Sequence, residues 1–200
     1  NLGAIFTDNP VPHVYEWDTA EGSNSNLWWC GHAAFKMVTR YENLQPVKSL
    51  YDIHLLFKKV SPGGYAKNRG NWSAQLSDLY EAARWSVNDG GYGRSLTVYR
   101  KTYSYAEYLQ KMKDGVNNEF PPIVTSYFQY PTAGHFYVVV GYREVSSGKP
   151  EDAILYLRDS SGYKMNEWYD RTVTVREIYD KYYQDPTGKS GWMRQILFIK

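Results

Sequence analysis

The pattern of hydrophobic positions changes once along the chain, near Pro121 and Pro122. Before this point apolar residues recur at helical spacing, and after it they form short β-branched and aromatic runs. The clearest helix is predicted from Cys30 to Tyr41, because a single apolar stripe follows that segment. Residues 1–29 are rich in Pro, Asn, Ser and Asp without sustained periodicity, so we expect an irregular N-terminal arm.

Four further helices are predicted from apolar spacing and capping patterns. They begin at or near Ser49, Ser73, Ser104 and Arg176. In the third of these, Ser104 and Glu107 match a capping box, and Gly115 is expected to end the helix. The fourth is expected to end near Tyr183.

The second half of the chain predicts an antiparallel β-sheet. Its strands are Ile123 to Phe128, His135 to Tyr142, Ala153 to Arg158, Thr172 to Val175 and Gln195 to Ile199. Helices followed by a run of strands are typical of an α+β domain. We therefore predict a single domain over residues 1–200, with N-terminal helices packed on a C-terminal antiparallel sheet.

Composition limits the classes of protein. Of the 200 residues, 42% are hydrophobic and 22% are charged, which is typical of a globular protein. No apolar run approaches the roughly 18 residues of a membrane span. The net charge of +2, from scattered Lys and Arg, argues against a nucleic-acid partner. With one cysteine, neither an intramolecular disulfide nor a Cys-rich metal site is possible.

The start of the chain and its aromatic content bear on location and partners. The chain begins at Asn1 without an initiator methionine or an apolar leader. We expect a secreted or cell-surface bacterial protein, with a cytoplasmic location as the alternative. Its 20 tyrosines and 7 tryptophans suit wet interfaces with peptides, glycans or proteins. The sequence leaves the oligomeric state open.

Cys30 is the candidate nucleophile. It stands at the first turn of the first predicted helix, where unpaired backbone N–H groups and the helix dipole favour an anion. A thiolate in that position could attack a carbonyl carbon if a base were near. The alternative interpretation is that Cys30 is a small buried hydrophobic side chain, as free cysteines often are.

His135 is the candidate base among four histidines. It begins a predicted strand, which would hold its ring in a fixed position. His32 follows Cys30 by two residues, and helix neighbours at that spacing point about 200° apart, so it is poorly placed. His54 lies within a predicted helix and His13 lies in the arm. The alternative is that His135 is a strand-end histidine that faces water.

Asp159 is the candidate third group. The segment from Glu144 to Asp152 is predicted as a hairpin loop between the strands that carry His135 and Asp159. A hairpin centred near Ser147 places Asp159 opposite or diagonal to His135, with Cβ atoms about 4.5–8 Å apart. A carboxylate there could accept a hydrogen bond from the imidazole and fix its orientation. Asp159 could instead be a turn former before the polar residues that follow it.

Three segments together resemble a known family. They are Asn24 to Val38, Gly134 to Tyr142 and Ile154 to Asp159. They are similar to papain-like cysteine peptidases, especially to the bacteriocin-leader (double-glycine leader) peptidase-like branch. The resemblance implies Cys30 as nucleophile, His135 as base and Asp159 as the group that orients the base. The family also places a Gln about six residues before the nucleophile, where its amide and the cysteine N–H form the oxyanion hole. Asn24 stands at that position, where this chain departs from the family, and is the expected donor; the alternative is that it is a polar loop residue.

These residues predict a thiol hydrolase that cleaves a peptide or amide bond through an acyl-enzyme intermediate. Its substrate would be a peptide, a protein or a cell-wall peptide. No metal or organic cofactor is expected, because the sequence lacks clustered ligands and a glycine-rich phosphate loop. The same triad would also serve a transglutaminase-like acyl transferase or a cell-wall peptide hydrolase. The alternative from another class is a catalytically inactive papain-like module that binds through its Tyr and Trp surface.

Overall fold

A computed structural model describes residues 3–44, 48–67, 70–88, 96–99, 104–130, 133–181 and 194–200. Its α-helices are α1 (Cys30–Tyr41), α2 (Leu50–Val60), α3 (Leu76–Asn88), α4 (Tyr105–Asn117) and α5 (Val175–Asp180). Its β-strands are β1 (Ile5–Phe6), β2 (Leu96–Tyr99), β3 (Ile123–Ser126), β4 (His135–Arg143), β5 (Ile154–Arg158), β6 (Arg171–Thr174) and β7 (Ile196–Ile199). Within these ranges, no helix has both the length and the apolar character needed to cross a membrane.

The described strands form one sheet in which the pairings are antiparallel. The strand order is β2-β7-β3-β4-β5-β6, and β1 pairs with β4 beyond the end of β3. β4 and β5 form the predicted hairpin, with Val138 opposite Arg158. A register shift between Val139 and Gly141 places one extra residue in β4. Because Asp159 directly follows β5, it lies beside the start of β4.

Helices cover both faces of the sheet. In β4, Phe136 and Val138 belong to a hydrophobic cluster that includes residues of α1, α2 and α3. Tyr137 and Val139 belong to a second cluster, which includes residues of α4 and α5. This alternation is that of a strand whose two faces are both buried. The predicted α+β fold, with helices packed on an antiparallel sheet, is confirmed.

Helix α1 is buried over residues 30–39, although several of these residues are polar. Lys36 forms an ion pair with Glu21, and His32 Nε2 lies 2.6 Å from the Tyr65 hydroxyl oxygen. Buried polar groups destabilise a fold unless they are hydrogen-bonded, so these pairings allow the helix to run through the core. They also hold its first turn in a defined position.

Helix α4 corrects one prediction. It continues to Asn117, so the predicted end at Gly115 is wrong. Gly115 is an interior helix residue, and a Cβ added there would lie 2.6 Å from Phe198 Cε1 and 2.6 Å from Pro122 Cγ. The glycine therefore allows close packing of the helix on the sheet rather than a change of chain direction.

Other element boundaries differ from the prediction by smaller amounts. α5 ends at Asp180 rather than near Tyr183, and Tyr183 itself lies outside the described residues. Its start carries a capping box, formed by Thr174 and Glu177, that was not predicted from the sequence. The five predicted strands are confirmed, with ends shifted by at most two residues. The short strands β1 and β2 are additional, and each pairs with a strand far away in the sequence.

The N-terminal segment follows the sheet through specific backbone contacts. It contains β1, and it then passes Arg158, whose buried side chain donates from Nε to the Val11 carbonyl over 2.8 Å. Further along, the backbone N–H of Glu16 donates to the carbonyl oxygen of Ser160 over 3.0 Å. These contacts bring the segment to the end of β5, where Asp159 lies.

Substitution of Gly115 by alanine tests the packing of α4. Helix propensity alone favours alanine by roughly 1 kcal/mol, but overpacking of a core costs roughly 1–3 kcal/mol. We expect Gly115→Ala to lower the free energy of unfolding by about 1–2 kcal/mol, because the new Cβ would also lie 2.7 Å from the Phe120 carbonyl oxygen. Urea denaturation measures this change.

Gly63 provides the matched control, because a Cβ added there meets no atom within 4 Å. We expect Gly63→Ala to change the free energy of unfolding by less than about 0.5 kcal/mol. A Gly115→Ala protein more stable than the wild type would contradict the packing described for α4.

Candidate active site

A cavity of about 690 Å³ opens where the N-terminus of α1 meets the start of β4. Cys30 and His135 both line it. Its wall also includes aromatic side chains, among them Trp17, Trp28 and Tyr130. A cavity of this size is typical of a ligand or substrate site.

Cys30 is the first residue of α1 and is a free cysteine with 9% of its surface exposed. The residue before it, Trp29, caps the helix without a side-chain hydrogen bond. The first i to i−4 hydrogen bond of the helix runs from Ala33 N to Trp29 O, over 2.9 Å. The backbone N–H of Cys30 therefore has no acceptor within the helix.

His135 is the first residue of β4, and 5% of its surface is exposed. The preceding residue, Gly134, has a φ of +53°, and a Cβ added there would lie 2.8 Å from Tyr127 Cζ. Glycine is therefore required to turn the chain into the strand at this point. The rings of Tyr130 and Tyr137 contact the imidazole edge-on, with centroids 5.2 and 4.8 Å away. These contacts restrict rotation of the ring.

Asp159 lies diagonal to His135 across the hairpin, as predicted. One residue before it, Arg158 pairs with Val138, so Asp159 lies beside Tyr137 and two positions along from His135. The His135 Nε2 and Asp159 Oδ1 atoms are 2.8 Å apart, and both side chains are buried. The structure therefore places the two side chains within hydrogen-bond distance, at the diagonal position predicted for the hairpin.

Several donors converge on the Asp159 carboxylate. The backbone N–H and hydroxyl of Ser161 donate to Oδ1 over 3.0 and 2.7 Å, and Arg171 Nε donates to Oδ2 over 3.0 Å. Burial raises the pKa of Asp159, but the hydrogen bond and charge of His135 and the hydrogen bonds from Ser161 together hold it well below its usual range. The group is therefore an anion at neutral pH.

The pKa of His135 responds in the opposite direction. Burial lowers it, but the negative charge of Cys30, hydrogen bonds to Asp159 and Cys30, and the charge of Asp159 raise it well above the ordinary value. Because Asp159 accepts from Nε2–H, Nδ1 is the ring nitrogen that remains for the cavity. The site thus favours the positively charged form of the imidazole.

The other three histidines have different partners. His13 Nδ1 lies 2.7 Å from Asp170 Oδ2. His32 Nε2 and His54 Nδ1 each lie 2.6 Å from the hydroxyl oxygen of Tyr65. Burial, with a smaller effect from the charge of His54, holds the pKa of His32 well below its usual range, so that ring is neutral. All four histidines are described, and His135 is the one that lines the cavity.

Asn24 is not among the residues that line the cavity. Its side chain is exposed, and its Oδ1 accepts from the backbone N–H of Asn26 over 2.9 Å. Asn24 lies six residues before Cys30 in an irregular part of the chain, where the number of residues between two positions does not determine where their side chains point. Asn24 therefore does not share the cavity lining with Cys30.

Two parts of the site were not predicted. Glu16 lines the cavity with 3% of its side chain exposed, and its Oε1 lies 4.0 Å from His135 Nδ1. The Asp159 backbone N–H donates to Asp170 Oδ2 over 3.0 Å, and Arg158 pairs with Asp170 at 3.0 Å. No periodic sequence pattern surrounds Glu16, so its burial could not be predicted. The adjacent charged residues Arg158 and Asp159 at a strand end could have indicated a buried network of charged groups there.

In the described part of the chain, no group of three or more His, Cys, Asp or Glu side chains could hold a metal ion. The cavity lining includes three groups suited to proton transfer, which are the Cys30 thiol, the His135 imidazole and the Glu16 carboxyl.

The fold and the arrangement of these groups define a papain-like cysteine peptidase fold, with a cysteine at a helix N-terminus and a histidine on a facing strand. A family model, Peptidase_C39 like family, matches residues 9–190, and the chain belongs to that family. This result confirms the resemblance identified from the sequence. A comparison with curated proteins gives no match.

Substitution of Asp159 by asparagine tests the electrostatics of the site. The neutral amide removes a charge and a charge-assisted hydrogen bond that raise the pKa of His135. Fewer imidazolium–thiolate pairs would then form, so we expect Cys30 to react with iodoacetamide about tenfold more slowly at about pH 6. Mass spectrometry of the alkylated protein measures this rate.

Asp52→Asn is the control for that experiment, because Asp52 is exposed on α2. Its alkylation rate should equal that of the wild type. Equal rates in the wild type and Asp159→Asn, with unchanged thermal unfolding, would show that Asp159 does not act on the histidine and thiol.

Proposed function

We propose that the protein is a cysteine peptidase-like thiol hydrolase that uses Cys30, His135 and Asp159 to cleave a peptide or amide bond. One observation carries the proposal. The buried His135 ring is held by Asp159 at 2.8 Å through Nε2, while its charge is stabilised by Cys30 in the same cavity. This combination favours a thiolate–imidazolium pair, which is the reactive form of a cysteine nucleophile.

The first half of the reaction would form a thioester. The Cys30 thiolate attacks the carbonyl carbon, and the carbonyl electron pair moves to oxygen to give a tetrahedral intermediate. When the intermediate collapses, the C–N bond breaks and His135 transfers its proton from Nδ1 to the leaving amine. The amine departs, and the acyl group remains on the Cys30 sulfur.

The second half would release the acyl group. His135, now neutral, accepts a proton from a water molecule that attacks the thioester carbonyl. The intermediate collapses with loss of the thiolate, and the product is a carboxylic acid. Asp159 keeps the ring orientation and stabilises its positive charge in both halves. The Cys30 backbone N–H supports the developing oxyanion, because it lies at the start of α1 without a helical acceptor.

The lining of the cavity supports a peptide as the substrate. Among the described lining residues, Glu16 and His135 are the ones with acidic or basic side chains, and aromatic and small residues form most of the rest. Trp28 is 44% exposed and stands at the cavity. Such a surface suits the backbone and uncharged side chains of an extended peptide more than a small, highly charged metabolite.

Substitution of Cys30 by alanine tests the proposed nucleophile. We expect turnover of p-nitrophenyl acetate and of a mixture of unstructured peptides to fall by at least about 10⁴-fold. Because the side chain is small and borders a cavity, the free energy of unfolding should change by less than about 1.5 kcal/mol. Stopped assays and thermal unfolding measure the two quantities.

Mass spectrometry should also find an acetyl group on Cys30 of the wild type during turnover of the ester. The proposal fails if Cys30→Ala keeps the wild-type rate. It also fails if the wild type hydrolyses neither probe while Cys30 resists iodoacetamide, because the thiol would then be unactivated.

A further inference from the structure

Glu16 is a buried carboxyl group to which the proposed mechanism gives no role. Only 3% of its side chain is exposed, and it lines the same cavity as Cys30. Its backbone N–H donates to Ser160 O over 3.0 Å, and the Ser160 hydroxyl donates to Glu16 Oε1 over 3.1 Å. Two contacts to one residue at the end of β5 therefore fix the position of the carboxyl group.

The groups around Glu16 come from three elements. His135 on β4 presents Nδ1 at 4.0 Å, Asp159 at the end of β5 lies on the other side of the His135 ring, and Cys30 begins α1. Burial raises the pKa of Glu16 to about 7, with the charge of His135 and the Ser160 hydrogen bond lowering it and the charge of Asp159 raising it. Near neutral pH the group therefore exists as both an acid and an anion.

The two forms of Glu16 would have opposite effects on the reaction. A carboxylate next to a developing oxyanion repels it, whereas a carboxylic acid donates a hydrogen bond to it. Buried carboxylic acids that stay protonated are known to serve as oxyanion donors. The Cys30 backbone N–H is one donor, and Asn24, the side chain expected from the sequence, lies exposed and outside the cavity.

Gln195 is a buried side-chain amide of the cavity lining. It is 6% exposed and precedes β7, where Ile196 pairs with Val124. It therefore lies on the far side of β3 from β4. Glu16, by contrast, is within 4.0 Å of His135 Nδ1, the atom that exchanges protons with the reacting groups.

We propose that Glu16, in its acid form, is the side-chain donor of the oxyanion hole and that turnover is lost as Glu16 ionises. The proposal rests on the thiol hydrolase function given above. In the tetrahedral intermediate, the Glu16 O–H donates to the oxyanion and keeps its proton. When the intermediate collapses, the oxygen becomes a carbonyl again and the hydrogen bond weakens, so Glu16 is unchanged at the end of the cycle.

The sign of the pH dependence follows from this role. Glu16 is an acid below pH of about 7, and its acid fraction falls about tenfold for each pH unit above that value. From about pH 6 to about pH 8.5 the acid fraction falls about 30-fold. The pKa of His135 is raised well above its ordinary value by Cys30 and Asp159, which favours the protonated ring in the resting site.

The experiment measures kcat/KM for p-nitrophenyl acetate at about pH 6 and about pH 8.5, with the Cys30→Ala rate subtracted. We expect the wild-type value to fall about 30-fold between the two pH values. In Glu16→Gln, whose amide donates at both pH values, the fall should be less than about threefold. Glu16→Ala should lose about 10²–10³-fold at about pH 6, the cost of one oxyanion donor.

Two further variants test the origin of the pH effect. Ser160→Ala removes a hydrogen bond that lowers the pKa of Glu16, so the fall should move to higher pH. Gln195→Ala should show the same 30-fold ratio as the wild type, because it leaves Glu16 in place. Alkylation of Cys30 by iodoacetamide forms no oxyanion, so its rate should not fall between the two pH values.

The outcomes separate this proposal from the function on which it rests. A wild-type rate that does not fall at alkaline pH, or a 30-fold fall that persists in Glu16→Gln, overturns the role of Glu16 and leaves the hydrolase intact. A parallel fall in the alkylation rate assigns the effect to the Cys30–His135 pair and also overturns it. Absence of Cys30-dependent turnover at any pH overturns both proposals.

Discussion

The hydrogen bond between His135 Nε2 and Asp159 Oδ1 is the interaction on which the candidate site depends. Both groups are buried, and burial alone would drive each toward its neutral form. Instead each stabilises the charge of the other, and Ser161 and Arg171 supply the remaining donors to the carboxylate. Removing one partner of such a pair is strongly destabilising, because it leaves the other charge buried without a partner. The surrounding structure therefore has to hold both partners in register.

That register comes from the β4–β5 hairpin and from the N-terminal segment laid against it. The extra residue in β4 is Val140, and its carbonyl oxygen accepts a hydrogen bond from the backbone N–H of Thr7 over 3.1 Å. Arg158 then joins the segment to the end of β5 through the Val11 carbonyl. The same contacts that secure the segment bring a buried carboxyl group, Glu16, next to the histidine.

The sequence predicts those parts of the molecule that depend on local periodicity. The bounds of α1 follow from one apolar stripe, and hairpin arithmetic places Asp159 diagonal to His135. The remaining features depend on contacts between distant residues. Gly115 has the sequence pattern of a helix end, and only its contact with Phe198 explains why a glycine lies inside the helix. Asn24 has the spacing expected from the family, but it lies in an irregular segment, where spacing does not determine where a side chain points. The aperiodic segment that carries Glu16 likewise offers no pattern from which its burial could be inferred.

The separation of the cysteine from its histidine along the chain has a consequence for biosynthesis. A ribosome delivers Cys30 more than one hundred residues before His135, and Asp159 later still. A nascent chain thus contains the thiol before it contains the imidazole and the carboxylate. Under the proposed mechanism the thiol would gain its reactivity only after the β4–β5 hairpin has formed, so an incomplete chain would react little with the proteins around it.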